Sequence, residues 1–207
     1  MEELLFRVTF SILWLVFFVS LIVLSHSAKW SARKQTTTHE GRLRVTALVL
    51  GAIYFAGALF YVLLPGWIVF LSILLPDWFR LIMVGVAVLG LWFVLWGYWA
   101  LGKNWAPSVS GVRNDTVLVT TGLYGFVRHP IYLGIFISLS ALALMVANLL
   151  VLLPTMALLI VLYASIDEEE VILTDRFGDE YREYKKRTPR FIPKLSRKKT
   201  STSASYI

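Results

Sequence analysis

The sequence predicts an all-α integral membrane protein with about five transmembrane helices, the last two forming a helical hairpin, followed by a cytoplasmic C-terminal amphipathic helix. Three observations carry this. Apolar residues make up 57% of the 207-residue chain and mean hydropathy is +0.70, which is not the composition of a soluble domain. The apolar residues fall in runs long enough to cross a hydrocarbon core of about 30 Å. Charge is confined almost wholly to the loops between those runs and to the last fifth of the chain.

The first run, Leu4 to Leu24, is broken only by Arg7 near one end, from where a long side chain can snorkel to the headgroups. Ser25-His26-Ser27 has the small residues of a leader-cleavage site, but the apolar core is too long and the start, Met1-Glu2-Glu3, is acidic, so retention as a membrane span is expected. Lys29, Arg33, Lys34, Arg42 and Arg44 fill the following loop. Leu43 to Leu64 is the second span, with Gly51 and Gly57 suited to close helix packing, and Pro65-Gly66 ends it. Trp67 to Leu75 is too short to cross and reads as an interfacial turn closed by Pro76-Asp77, with Trp67 and Trp78 at headgroup level.

Phe79 to Leu101 is the third span. Trp92, Trp96, Tyr98, Trp99 and Trp105 gather toward one end as an aromatic belt. Gly102 to Arg128 is the longest polar connection between spans, with short β-like character at Asp115 to Thr121. Ile131 to Ile166, 36 apolar residues, suffices for two short spans, and Asn148 and Pro154 are the natural places to turn. Lys and Arg occur in the Lys29–Arg44 loop, the Gly102–Arg128 loop and the tail, but not in Pro65–Trp78 or around Asn148, apart from the spans themselves. The positive-inside rule then puts the N-terminus outside and the tail in the cytoplasm. Three regions follow: residues 1–75 with two spans and a turn, 76–195 as the functional core, and 196–207 as a disordered basic tail.

Composition also excludes chemistry. There is no cysteine, and His26, His39 and His129 stand alone, so neither thiolate chemistry nor a metal site is expected. The net charge of +7 lies in loops and tail, which fits anionic lipid headgroups better than nucleic acid.

Two polar stretches remain. In Leu123 to Gly134, L-Y-G-F-V-R-H-P-I-Y-L-G, Pro130 suits the first position of a helix, with Arg128 and His129 just outside. The unpaired N–H groups of that helix start can hold a carboxylate or phosphate. Gly134, one turn on, lets a ligand or another helix approach the backbone. The second stretch begins with Asp167, Glu168, Glu169 and Glu170 at the end of the last span. It continues as an amphipathic helix marked by Leu173, Phe177, Tyr181 and Tyr184, which Gly178 can interrupt. Four adjacent carboxylates at a helix end call for positive charge, either from Arg176, Arg182 or Lys185 to Arg187, or from a ligand. A ligand with a carboxylate for the Pro130 helix start, an ammonium for Glu169 or Glu170, and a sulfonium near Tyr124 and Tyr132 matches both stretches; S-adenosylmethionine is one.

The same residues form G-x-Y-x-x-x-R-H-P-x-Y-x-G and E-E-x-x-L-x-x-x-F-G-x-E-Y-x-x-Y-x-x-R-x-P, separated by a helical hairpin. This arrangement resembles the isoprenylcysteine carboxyl methyltransferase family, with phospholipid methyltransferases close by. The likeness is strong from Leu118 to Pro193, weaker around Pro76 and Lys103, and in the first two spans only that of apolar helices. It implies an integral membrane methyltransferase that holds S-adenosylmethionine between the hinge and the acidic helix, acting on a lipophilic acceptor, prenylated or lipid-like. By position, Leu118 and Val119 would lie along the cofactor and Tyr124 would close over it. His129, Pro130 and Tyr132 would bind it, and Glu169 would take its polar end; Gly134 and Glu170 join the cofactor-binding candidates from the reading of the two stretches themselves. Arg128, Glu168 and Glu170 are the candidates for a catalytic role, the last two as bases for an amine acceptor. Eukaryotic members carry arginines where this chain has Tyr163 and Ser165, which sets its carboxylate recognition apart. The rival readings are a phospholipid amine N-methyltransferase, an NADPH-dependent membrane reductase and a non-catalytic carrier.

Overall fold

A computed structural model of the chain describes residues 2–27, 38–102 and 117–192. All regular elements among them are helical. Two long apolar helices come first, α1 (Glu2–Ser27) and α2 (Thr38–Leu63). The short α3 (Pro65–Ile68) and a 3-10 turn (Val69–Leu71) lead to α4 (Asp77–Leu101). After the described residues resume come α5 (Leu123–Phe126), α6 (Pro130–Val146), α7 (Leu149–Phe177) and α8 (Asp179–Arg187). Four helices, α1, α2, α4 and α7, are long and apolar enough to cross a membrane; α6, with 17 residues, is the shorter apolar helix completing the expected hairpin. The protein is a multi-pass membrane protein.

The two hairpin helices differ in length. At about 1.5 Å per residue α6 spans roughly 25 Å and α7 roughly 43 Å, against a hydrocarbon core of about 30 Å. α6 is thus shorter than such a core and α7 longer. α4 packs along α6, α2 along α7, and α1 across α4 and α6. Phe10, Trp14 and Phe17 of α1 and Tyr54 and Tyr61 of α2 are buried in the common core.

The closest approach is between α4 and α6. A Cβ added to Gly134 would stand 2.6 Å from the Gly90 carbonyl oxygen and 2.7 Å from the Val94 nitrogen. Only glycine allows two backbones so near. Gly57 of α2 likewise lies against the Leu150 carbonyl of α7, where a Cβ would come to 2.7 Å. Gly51 is different from expectation: nothing lies within 4 Å of its Cβ position, so it does not serve close packing here.

The turn between α6 and α7 falls at Asn148, whose side chain accepts from Leu150 N–H at 3.0 Å as a helix cap. Ala147 adopts the left-handed conformation, φ 52°. The connection 65–76 meets this turn, with Ile73 N–H donating to the Ala147 carbonyl at 2.7 Å, so the two loops without Lys or Arg share one end of the bundle.

Several expectations are corrected. Pro154 does not turn the chain but sits inside α7. It removes the N–H that would bond the Leu150 carbonyl, and Gly57 brings its backbone against that same carbonyl. The acidic run Asp167–Glu170 does not end a helix, because α7 continues unbroken to Phe177. The break comes at Gly178, φ 55°, where α8 begins. Val117 to Thr120 has no strand; Asp115 and Thr116 lie outside the described residues, as do Lys29, Arg33, Lys34, Lys103, Trp105 and the tail 193–207.

Candidate functional site

The hinge before α6 and the acidic run of α7 lie far apart in sequence and meet at one end of the bundle. Pro130 is the first residue of α6 and His129 its N-cap, as the sequence predicts. The hinge is held from the C-terminal side. Arg128 N–H donates to the Pro189 carbonyl at 2.9 Å, His129 N–H to the Arg190 carbonyl at 3.3 Å, and the Tyr184 hydroxyl to the Tyr124 carbonyl at 2.6 Å. Arg128 Nη1 also donates to the carbonyls of Lys185 and Thr188.

The adjacent carboxylates of Glu169 and Glu170 face different company, because neighbouring residues on a helix point about 100° apart. Glu170, its side chain 4% exposed, is ringed by the cations Arg128 (Nη2 at 2.8 Å), Lys185 (Nζ at 2.9 Å) and Arg190 (Nη2 at 3.1 Å) and by the imidazole of His129 (Nε2 at 3.2 Å). Arg190 reaches Asp167 as well, at 2.7 Å. Burial works against the Arg190 charge, but its bonds to Glu170 and Asp167 outweigh that and hold it above the ordinary guanidinium range.

Glu169 lies 4.0 Å from His129 Nδ1 and accepts from the Tyr132 hydroxyl. No Lys or Arg pairs with it among the described residues. Its charge is felt by Tyr124, whose pKa is raised well above the usual value by burial, then by Glu169, then by Tyr184. His129 thus bridges the two carboxylates, Nε2 toward Glu170 and Nδ1 toward Glu169.

The expected residues divide accordingly. The structure brings together Tyr124, Arg128, His129, Pro130, Tyr132, Glu169 and Glu170. Gly134 is on the same helix, but its bare face is filled by α4, so the approach it permits is that of a helix and not of a ligand. Glu170, a candidate cofactor ligand and base, anchors the cluster through its ion pairs to Arg128, Lys185 and Arg190, and a carboxylate bonded to several cations is a weaker base. Leu118 and Val119 are half-buried in the irregular stretch before Gly122, and Glu168 is half-buried on α7. Of the cations proposed to answer the acidic run, Lys185 does so, whereas Arg182 pairs with Asp179 at 2.6 Å. Arg190 was not foreseen. Its one sequence signal is Pro189 just before it, which fixes the backbone after a helix.

Fold and site define a membrane protein whose polar centre lies at one end of an apolar helix bundle, between a helix start and a carboxylate pair. A sequence model of the phospholipid methyltransferase family matches residues 78–180. The protein-S-isoprenylcysteine O-methyltransferase of Schizosaccharomyces pombe is 37% identical over 94 residues, 44% of this chain and 40% of that protein. The nickel-cobalt-cadmium resistance protein NccN of Alcaligenes xylosoxydans xylosoxydans is 31% identical over 120 residues, 58% of this chain and 54% of that one. This chain therefore spans only about half the length of these relatives or less. A solved eukaryotic intramembrane Ras methyltransferase, an isoprenylcysteine carboxyl methyltransferase, shares the fold, with a TM-score of 0.64 at 22% identity over 93% of this chain and 68% of that one.

Among the described residues no group of three or more His, Asp or Glu side chains could hold a metal ion.

Proposed function

We propose that this protein is an S-adenosylmethionine-dependent membrane methyltransferase acting on a lipophilic acceptor of the isoprenylcysteine carboxylate kind, its site facing the cytoplasm. The observation that carries the reading is the inequality of the two carboxylates. Glu170 is saturated by protein cations, while Glu169, one residue away, meets His129 and the Tyr132 hydroxyl but no Lys or Arg among the described residues, and is suited to an ammonium.

The donor set fits such a cofactor. The first turn of α6 offers N–H groups to a carboxylate, Glu169 offers a carboxylate to an ammonium, and Tyr124 and Tyr132 offer aromatic faces to a cation. When bound, S-adenosylmethionine supplies an activated methyl group on a cationic sulfur. The chain's part is positioning and exclusion of water. His129, gripped between Glu169 and Glu170, keeps the hinge in register with α7. The buried hydroxyl of Tyr184 fixes the Tyr124 backbone. A carboxylate acceptor needs no base, in keeping with a Glu170 already engaged.

A phospholipid amine acceptor is the second reading, favoured by the family matched over residues 78–180. Membranes containing the protein, incubated with methyl-labelled S-adenosylmethionine, are expected to form a base-labile methyl ester on the carboxylate of an S-prenylated N-acetylcysteine. Label retained in lipid headgroups instead would favour the second reading; no transfer to either would overturn both.

A further inference from the structure

Between the carboxylate pair and the lipid-facing side of α7 runs a chain of aromatic rings. His129 stands edge-on to Tyr132 at 5.8 Å, Tyr132 lies 6.4 Å from Phe136, Phe136 meets Phe191 edge-on at 5.4 Å, and Phe191 lies 6.3 Å from Tyr163. Tyr132 and Phe136 belong to α6, and Tyr163, half of it exposed, to α7. Phe191 belongs to neither helix. It is carried by the segment 188–192, which crosses from α8 to the hinge and is fastened by the backbone bonds of Pro189 and Arg190 to residues 128 and 129 and by the ion pairs of Arg190.

An acceptor whose reactive head meets the methyl group of a cofactor held by Glu169 must lead its apolar chain into the bilayer. The α4–α6 side is closed, because those backbones leave no room even for a Cβ at Gly134 or Gly90. Toward α7 the lining is the apolar rings of Phe136, Phe191 and Tyr163, and one of them rides on a separate strap. We propose that Phe191 is a specificity-determining residue, its ring filling the cleft between Phe136 and Tyr163 through which the acceptor's chain reaches the membrane. Arg190, paired with Asp167 and Glu170, latches the strap and sets how far that ring intrudes. This assignment rests on the methyltransferase reading above and deepens it, by saying what limits the acceptor's length.

The test compares geranyl, farnesyl and geranylgeranyl N-acetylcysteines as acceptors for the full chain in detergent or lipid, with S-adenosylhomocysteine affinity measured separately by calorimetry. Phe191→Ala should raise the kcat/KM ratio of the longest to the shortest acceptor by about tenfold, the scale of filling or emptying an apolar pocket. Phe191→Trp should move it the opposite way, a reversal that loss of folding does not produce. S-adenosylhomocysteine affinity should stay within about twofold in both. An unmoved length preference, or the same shift in both variants, overturns the assignment while leaving the cofactor site standing. Loss of S-adenosylhomocysteine binding in both variants makes Phe191 a structural support and overturns it too. A wild-type chain that binds no S-adenosylhomocysteine overturns the methyltransferase reading and this assignment with it.

Discussion

At the end of the bundle away from the hinge, a buried cation is held by partly exposed anions; at the hinge end, a buried anion is held by cations. Arg80, its side chain 9% exposed, donates from Nε to the Met145 carbonyl at 2.8 Å and from Nη1 to Glu3 at 2.8 Å, with its guanidinium 3.9 Å above the Phe6 ring. The Tyr61 hydroxyl donates to the other Glu3 oxygen at 2.9 Å, so one cluster ties α1, α2, α4 and α6 together. Glu3 is 51% exposed and keeps water as a partner. At the hinge end the enclosed group is Glu170, and beside it stands Glu169 with no Lys or Arg partner among the described residues. The first cluster uses its charges to join helices. The second does that with Glu170 and leaves a neighbouring carboxylate for something else.

The contrast breaks most visibly at Glu170. Glu170→Gln leaves Arg128, Lys185 and Arg190 around a neutral amide, and loss of one partner of a buried ionic cluster costs about 3–5 kcal/mol; thermal unfolding in detergent should show it as the largest loss among these variants. Gly134→Ala comes next. Its Cβ would press on the backbone of Gly90 and Val94, and overpacking of this kind costs about 1–3 kcal/mol. Arg80→Met should cost only about 1 kcal/mol, because Glu3 can rehydrate and the main loss is one hydrogen bond to a carbonyl. A loss as large as that of Glu170→Gln would show the two ends to be equivalent.

The smallest effect concerns alkaline pH. Burial raises the Tyr184 pKa, with the Arg128 charge pulling the other way. A group whose folded pKa is raised gives its full stabilisation below the unfolded value, about 10 for tyrosine, and loses it as pH climbs through the folded one. Melting curves taken above about pH 10 should therefore fall less steeply for Tyr184→Phe than for the parent, although the variant starts lower by about 1 kcal/mol for the missing bond to the Tyr124 carbonyl.

Local pattern made much of this readable. Apolar runs gave α1, α2 and α4 to within a few residues, Pro130 gave the start of α6, and Asn148 gave the hairpin turn, but the run ending at Ile166 did not show that α7 continues to Phe177. Local pattern alone does not separate Glu169 from Glu170, since adjacent carboxylates have the same composition and differ only in what folds against each face of α7; only the family resemblance singles out Glu169. Arg190, Phe191 and Arg80 were invisible for the same reason: their partners, Asp167 and Glu170, Phe136 and Tyr163, and Glu3 and Met145, are distant in the chain. Gly134 was recognised as a place of close approach, but only the packing of α4 shows what approaches. Pro154 was misread because a proline marks a turn only where no neighbouring helix occupies the carbonyl it leaves without a donor.

The most direct measurement is a calorimetric titration of S-adenosylhomocysteine into Glu169→Gln and into Arg80→Met, each shown to be folded by its melting curve. Removing the carboxylate from Glu169 leaves an ammonium without its counter-charge, so binding should weaken by about a hundredfold or vanish, while Arg80→Met binds as the parent does. Undiminished binding to folded Glu169→Gln would contradict the account.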